Sequence, residues 1–170
     1  MTRDVHLKPF TGIRIEVATP LSFDDVLDRL RALIGRASPA EIVSLAQAPI
    51  PEADFVRIVQ ERFEGESGFM LFAEIDHGGW LSKFGVDRRT VRWILGNPLI
   101  AVTMIRHDIT AGLFAPVELL VTEAEGGQGA TLTYLRPSSL MVIGENPPLL
   151  AAATLLDAKF DALIARATEG

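Results

Sequence analysis

The sequence predicts an α+β fold, a mostly antiparallel sheet in the order β-α-β4-α with helices on one face. Three observations carry this. A strand of period two at residues 13–17 runs straight into an amphipathic helix. Four strand-like segments then follow between residues 69 and 134, without the steady strand-helix alternation of a doubly wound parallel sheet. The chain closes on one long helix with a single apolar stripe. At 170 residues and 48% apolar content the expectation is a single domain over 1–170 with a true core.

Residues 1–9 read as a loose arm. Ile13, Ile15 and Val17 alternate with Arg14 and Glu16, the pattern of a half-buried strand. Ser22, with Asp25 three residues on, opens a helix over 22–35 that carries Phe23, Val26, Leu27, Leu30, Leu33 and Ile34 at helical spacing. Ser38-Pro39-Ala40-Glu41 combines a cap, a proline at the first helical position and a glutamate at the third, and starts a short helix that ends before Pro49. Pro51 opens another, with Phe55, Ile58, Val59 and Phe63. Residues 36–66 therefore form a helical insertion after the first helix, closed by the stretch Gly65–Gly68.

Phe69 to Ile75 is almost continuously apolar, and its length and flanking glycines favour a buried strand. Asp76-His77-Gly78-Gly79 ends it, with one or two helical turns over 79–85. Thr90 to Leu95 is the next strand, stopped by Gly96-Asn97-Pro98. Residues 98–107 fit helix or strand, and helix is favoured. Val117, Leu119 and Val121 alternate with polar neighbours, as do Ala130, Leu132 and Tyr134. The glycine-rich link 125–129 joins the two segments as a hairpin. Asn146-Pro147-Pro148 starts the final helix, striped by Leu149, Ala153, Leu156, Phe160, Leu163 and Ala167.

Several of these segments occur together in one family. Phe69-Met-Leu-Phe-Ala-Glu-Ile-Asp-His77 precedes Trp93-Ile-Leu-Gly-Asn-Pro98. Met104, Ala115-Pro-Val-Glu-Leu-Leu-Val121 and Tyr134 follow in order. Over residues 10–35 and 67–165 the chain resembles the family called domain of unknown function 302. It departs from that pattern in its longer insertion at 36–66 and in Ala115-Pro116, where Leu-Pro is usual. The resemblance implies the β-α-β4-α fold and no particular reaction.

Composition excludes several functions. A net charge of −6 argues against nucleic acid as the main partner, because phosphate binding needs a surplus of Lys and Arg. The absence of cysteine removes disulfides, thiol nucleophiles and thiolate metal sites, and suits a cytoplasmic location. Neither a signal-peptide pattern nor a run near the roughly 20 apolar residues of a membrane span is present. Phosphate-loop and nucleophile-elbow patterns are also absent, so Ser138 and Ser139 lack a hydrolase context. No motif names a cofactor.

Three groups of residues could still carry chemistry. Asp76-His77 and His107-Asp108 together hold two imidazoles and two carboxylates, from which a non-thiolate metal site could be built. The plainer reading is a strand-end cap and a solvated helix end. Strand parity places Glu74 with Arg92 and Glu118 on the sheet face away from the helices, a charge cluster among apolar neighbours. Such a cluster is either a ligand site or a cross-strand ion pair, with the ion pair the plainer reading. Asn97, in a sharp strand-to-helix turn, sits where a helix start could meet an anion, although a plain turn is the simpler reading. Tyr134, Trp80 and Trp93 read as packing residues.

The same outer face would carry Met70, Phe72, Ile94 and Leu120. It should be covered by the insertion or by a second copy in a homodimer. The expectation is a non-catalytic domain that binds a small molecule or a protein. The alternative is a metal-assisted enzyme using Asp76, His77 and His107.

Overall fold

A computed structural model describes residues 3–169. One six-stranded sheet runs in the spatial order β1-β6-β5-β4-β3-β2. Its strands are β1 (Arg14–Thr19), β2 (Gly35–Arg36), β3 (Met70–Asp76), β4 (Thr90–Gly96), β5 (Val117–Glu123) and β6 (Ala130–Leu135). Every neighbouring pair is antiparallel except β2–β3, which is parallel. Seven helices accompany the sheet: α1 (Phe23–Leu33), α2 (Pro39–Gln47), α3 (Glu52–Arg62), α4 (His77–Leu81), α5 (Pro98–Ile105), α6 (Pro137–Met141) and α7 (Pro147–Thr168). The expected α+β class and β-α-β4-α order hold, with the two-residue β2 added as an edge after α1.

Local chemistry accounts for the helix starts. Ser22 accepts the Asp25 N–H at the head of α1, and Ser38 with Glu41 forms a complete capping box at α2. In that box the Ser38 main-chain and hydroxyl hydrogen bonds hold the Glu41 carboxyl below its usual range. Asn146 caps α7 through the Leu149 N–H.

Helices α1 and α7 lie on one face. There Leu30, Trp93, Leu95, Leu119, Leu132 and Phe160 are buried in a single core. Side chains alternate along each strand, so these inward positions set the outward ones. The Phe160 ring meets Tyr134 edge-on at 4.8 Å and Phe69 at 5.7 Å. The Tyr134 hydroxyl donates to Asp161 at 2.6 Å; burial, and then this bond, push its pKa up.

A second, smaller core lies under the insertion, where Val59 of α3 and Phe63, just past its end, bury Met70, with Phe72, Phe55 and Ile58 against them. The expected cover over the outer face is therefore real at the β2–β3 end. It stops there: Ile94 and Leu120 are half-buried, while Ile75 and Leu135 are exposed.

One irregularity changes a sequence expectation. Leu71 stands opposite Leu95, yet Ala73 stands opposite Ile94, so Phe72 is an extra residue in a β-bulge. A bulge shifts side-chain parity by one beyond it. Glu74 consequently stands opposite Trp93 and Asp76 opposite Val91, both core-facing positions, while Ile75 stands opposite Arg92. The expected grouping of Glu74 with Arg92 and Glu118 is incorrect.

Candidate binding groove

The outer face of the sheet is ordered in rows. Ile75, Arg92, Leu120, Thr133 and Glu16 lie side by side from β3 to β1, and Ala73, Ile94, Glu118, Leu135 and Arg14 form the next row. Arg92 and Glu118, on adjacent strands one row apart, form an ion pair. Arg14 and Glu16 pair at 2.5 Å along β1.

Above these rows lies a groove of about 780 Å³, walled by Phe10 of the N-terminal arm, by Leu113 and Phe114 of the 3-10 turn at Ile109–Phe114, and by Leu140 of α6. Phe10 and Phe114 meet edge-on at 5.9 Å, which ties the arm across the groove's end. The floor supplies Arg92, Glu118, Leu120, Thr133 and Leu135, with Arg14 at the β1 side. Two guanidiniums and one carboxylate thus face an otherwise apolar space. Among the described residues, Arg92 has no partner other than Glu118, and its side chain remains 37% exposed. A guanidinium has five N–H donors, so most of them are left for a ligand.

Sequence parity alone found Arg92 and Glu118. It missed Arg14, although Arg14 and Glu16 were legible as the polar face of β1. Phe10, Leu113 and Phe114 come from irregular segments, where periodicity carries no information.

The other candidates lie elsewhere. Glu74 and Asp76 open into a polar cleft of about 410 Å³ between the head of α1 and the β3–β4 connection. Four of its charged side chains are paired in two ion pairs. Arg31 reaches Glu74 at 3.3 Å and lies 5.8 Å from the centre of the Trp93 ring. Arg89 donates to both carboxylate oxygens of Asp24, at 2.8 and 2.5 Å. That bond holds the Asp24 carboxyl below, and the Arg89 guanidinium above, its ordinary pKa. Asp76 caps α4 by accepting the Gly79 N–H at 3.0 Å.

His77 lies edge-on to Trp80 at 5.8 Å, with its Nδ1 enclosed and without a hydrogen-bond partner among the described residues. His107 stands at the opposite end of the molecule. Its carbonyl accepts from Asn146, at the start of α7. The 22-residue α7 runs about 33 Å to Thr168. The Thr168 carbonyl accepts from the Thr19 hydroxyl, and the cross-strand pairs Thr19–Ala130, Ala130–Glu123 and Thr122–Thr90 lead from there to the start of β4, beside Asp76. Asp76, His77 and His107, the residues of the expected alternative metal site, do not come together as one among the described residues. Among the described residues no three His, Asp or Glu side chains group as a metal site requires.

Asn97 is 5% exposed and its amide is fully engaged. Its Oδ1 accepts the Leu99 N–H at 2.8 Å, while its Nδ2 donates to the Gly68 carbonyl at 2.9 Å and to Glu64 at 3.2 Å. It caps α5 and ties the end of β4 to the loop before β3, leaving no donor for a ligand. Gly96, Pro98, Met104, Ala115 and Pro116 gather beside it around an apolar cavity of about 170 Å³. The Ala115–Pro116 peptide is cis.

The fold and groove define an α+β domain of antiparallel sheet with helices packed on one face and a partly open second face. The chain matches the family model described as domain of unknown function DUF302 over residues 46–167, and it belongs to that family. The match takes in α3, so part of the segment expected as an insertion lies within the family's own span. Among solved structures the chain is similar to an uncharacterized conserved protein DUF302 from Bacillus stearothermophilus. That likeness has 18% identity and a TM-score of 0.62, and covers 91% of this chain and 97% of the other. No curated protein matches the chain. No helix among the described residues is long and apolar enough to cross a membrane.

Proposed function

We propose that this domain binds a small molecule in the outer-face groove without transforming it, and that the occupant has an apolar body and one anionic group. The observation that carries the reading is the meeting of apolar walls with Arg14 and Arg92 over one carboxylate, Glu118. A volume of about 780 Å³ falls within the range of small-molecule sites. Arg92, paired among the described residues with Glu118 alone, keeps donors suited to a carboxylate, and Arg14, beside its own partner Glu16, adds positive charge at the groove's β1 side. The cysteine-free composition supports a cytoplasmic setting.

Native mass spectrometry of the protein as purified is the first test, with a retained small-molecule mass as the expected result. Titration calorimetry then compares aryl and acyl carboxylates with the matching primary amides. The carboxylates should bind about tenfold more tightly, the scale of one charge-assisted hydrogen bond. Arg92→Met should erase that preference while leaving the fold intact. Equal binding of acid and amide, or an Arg92→Met variant that keeps the preference, would refute the proposal.

A further inference from the structure

The sheet ends at β1 with an unpaired edge, and the pattern of that strand selects its partner. The Ile13 carbonyl accepts from Arg136 at 2.8 Å, and the Ile13 N–H donates to the Ser139 hydroxyl at 2.9 Å, so both main-chain groups of Ile13 point toward β6 and α6. Main-chain groups alternate sides along a strand. Ile15, Val17 and Thr19 therefore bond β6, opposite Tyr134, Leu132 and Ala130. The N–H and C=O groups of Arg14, Glu16 and Ala18 point outward, and among the described residues nothing hydrogen-bonds them.

Native edges are usually blunted by proline, a bulge, a covering segment or charge. β1 has no proline, and its register with β6 is unbroken from Arg14 to Thr19. The arm before it turns over the groove to Phe114. Charge is present, but in alternating sign, and that alternation is self-complementary.

We infer that β1 pairs antiparallel with β1 of a second copy of this chain, centred on Ile15. In that register Arg14 of each chain stands opposite Glu16 of the other, at positions whose outward main-chain groups exchange hydrogen bonds. Ile15 faces its own counterpart, and Ile13 faces Val17 on the helix side, covering apolar surface that is now partly open. Moving the centre to Arg14 or to Glu16 sets like charges directly opposite, which is unfavourable. A shift by a single residue would put Ile15 on the charged face. The contact is isologous and closed, as a two-fold dimer requires. It joins the two sheets into one and sets Arg14 and Glu16 of both chains in a four-charge cluster beside the two grooves. It shares Arg14 with the β1 side of the groove but needs no occupant there.

Size-exclusion chromatography with light scattering over a concentration series tests this on the full chain. The wild type should be a dimer. Arg14→Glu and Glu16→Arg should each raise the dissociation constant by about tenfold or more, since symmetry turns two opposite-charge pairs into two like-charge pairs. The double reversal R14E/E16R should restore the dimer. Both positions are exposed, and circular dichroism should show all three variants folded. Leu120→Glu, in the middle of the outer face, should leave the dimer intact. A monomeric wild type, single reversals without effect, a double reversal that fails to restore pairing, or a dimer broken by Leu120→Glu would each overturn the inference.

Discussion

Replacing Asn97 separates a structural role from a ligand-binding one. Asn97→Ala removes the α5 cap, a loss of about 1 kcal/mol. It also strips the Gly68 carbonyl of its donor, and a buried carbonyl left unpaired costs roughly 1–3 kcal/mol. Together the substitution should destabilise the domain by about 3 kcal/mol. Asn97→Asp keeps the acceptor that caps Leu99, and a negative charge at a helix start is favourable. It nevertheless loses the donor and sets a carboxylate against the Gly68 carbonyl and Glu64, so a deficit of about 2 kcal/mol should remain at neutral pH. That deficit should shrink as the pH falls, because the protonated carboxyl regains a donor. Urea unfolding followed by circular dichroism at pH 7 and pH 5 measures both variants. A loss below about 1 kcal/mol for Asn97→Ala, or an Asn97→Asp variant as stable as wild type at pH 7, would refute the structural reading.

Three further outcomes follow from the geometry. Tyr134→Phe removes the 2.6 Å bond to Asp161 and should cost about 1 kcal/mol in urea unfolding. Because the folded pKa of Tyr134 is raised, its stabilising contribution is full below the ordinary phenol value near 10. It is lost as pH rises through the folded value, so the variant should show a flatter alkaline limb. Asp24 has the opposite sign. Its carboxyl is depressed by Arg89, so its contribution is present above the ordinary Asp range and lost as pH falls through the folded pKa; Asp24→Asn should flatten the acid limb. Gly35→Ala would place Cβ 1.8 Å from the Phe63 carbonyl oxygen and 2.6 Å from the Gly65 nitrogen. A loss above about 3 kcal/mol is expected, read as a fall in the urea midpoint.

Most elements were legible because their signals are local. The caps Ser22, Ser38 and Asn146 mark helix starts through side chains within three residues, and period two marks β5 and β6. What failed is non-local. The bulge at Phe72 lies in a run of continuously apolar residues, where parity gives no warning of an extra residue. One undetected residue carried Glu74 to the helix side and broke the expected cluster, while Arg92 and Glu118, on regular strands, stayed together. β2 has only two residues and is held by close backbone approach at Gly35 and Gly65, which no periodicity records. The groove walls come from the arm and from a 3-10 turn, placed by tertiary contact.

The residues that carry the family resemblance have a shared physical role. Asn97 spends its whole amide on the turn from β4 into α5. Gly96 leaves room for the Phe72 ring, 2.7 Å from where its Cβ would stand, and for Pro116 at 3.0 Å. Met104 is buried in the main core, and Tyr134 locks β6 to α7. These positions determine how the strands end and how the last helix docks, so a chain can keep them all and still vary what it binds. Arg14, Arg92 and Glu118 make no comparable contribution to the core, and among the described residues Arg92 and Glu118 are paired only with each other on a half-open face. The resemblance therefore carries the architecture, and the binding specificity proposed for the groove rests most on Arg14 and Arg92, outward-facing side chains that lie outside the shared motifs, with Glu118 the motif residue beside them.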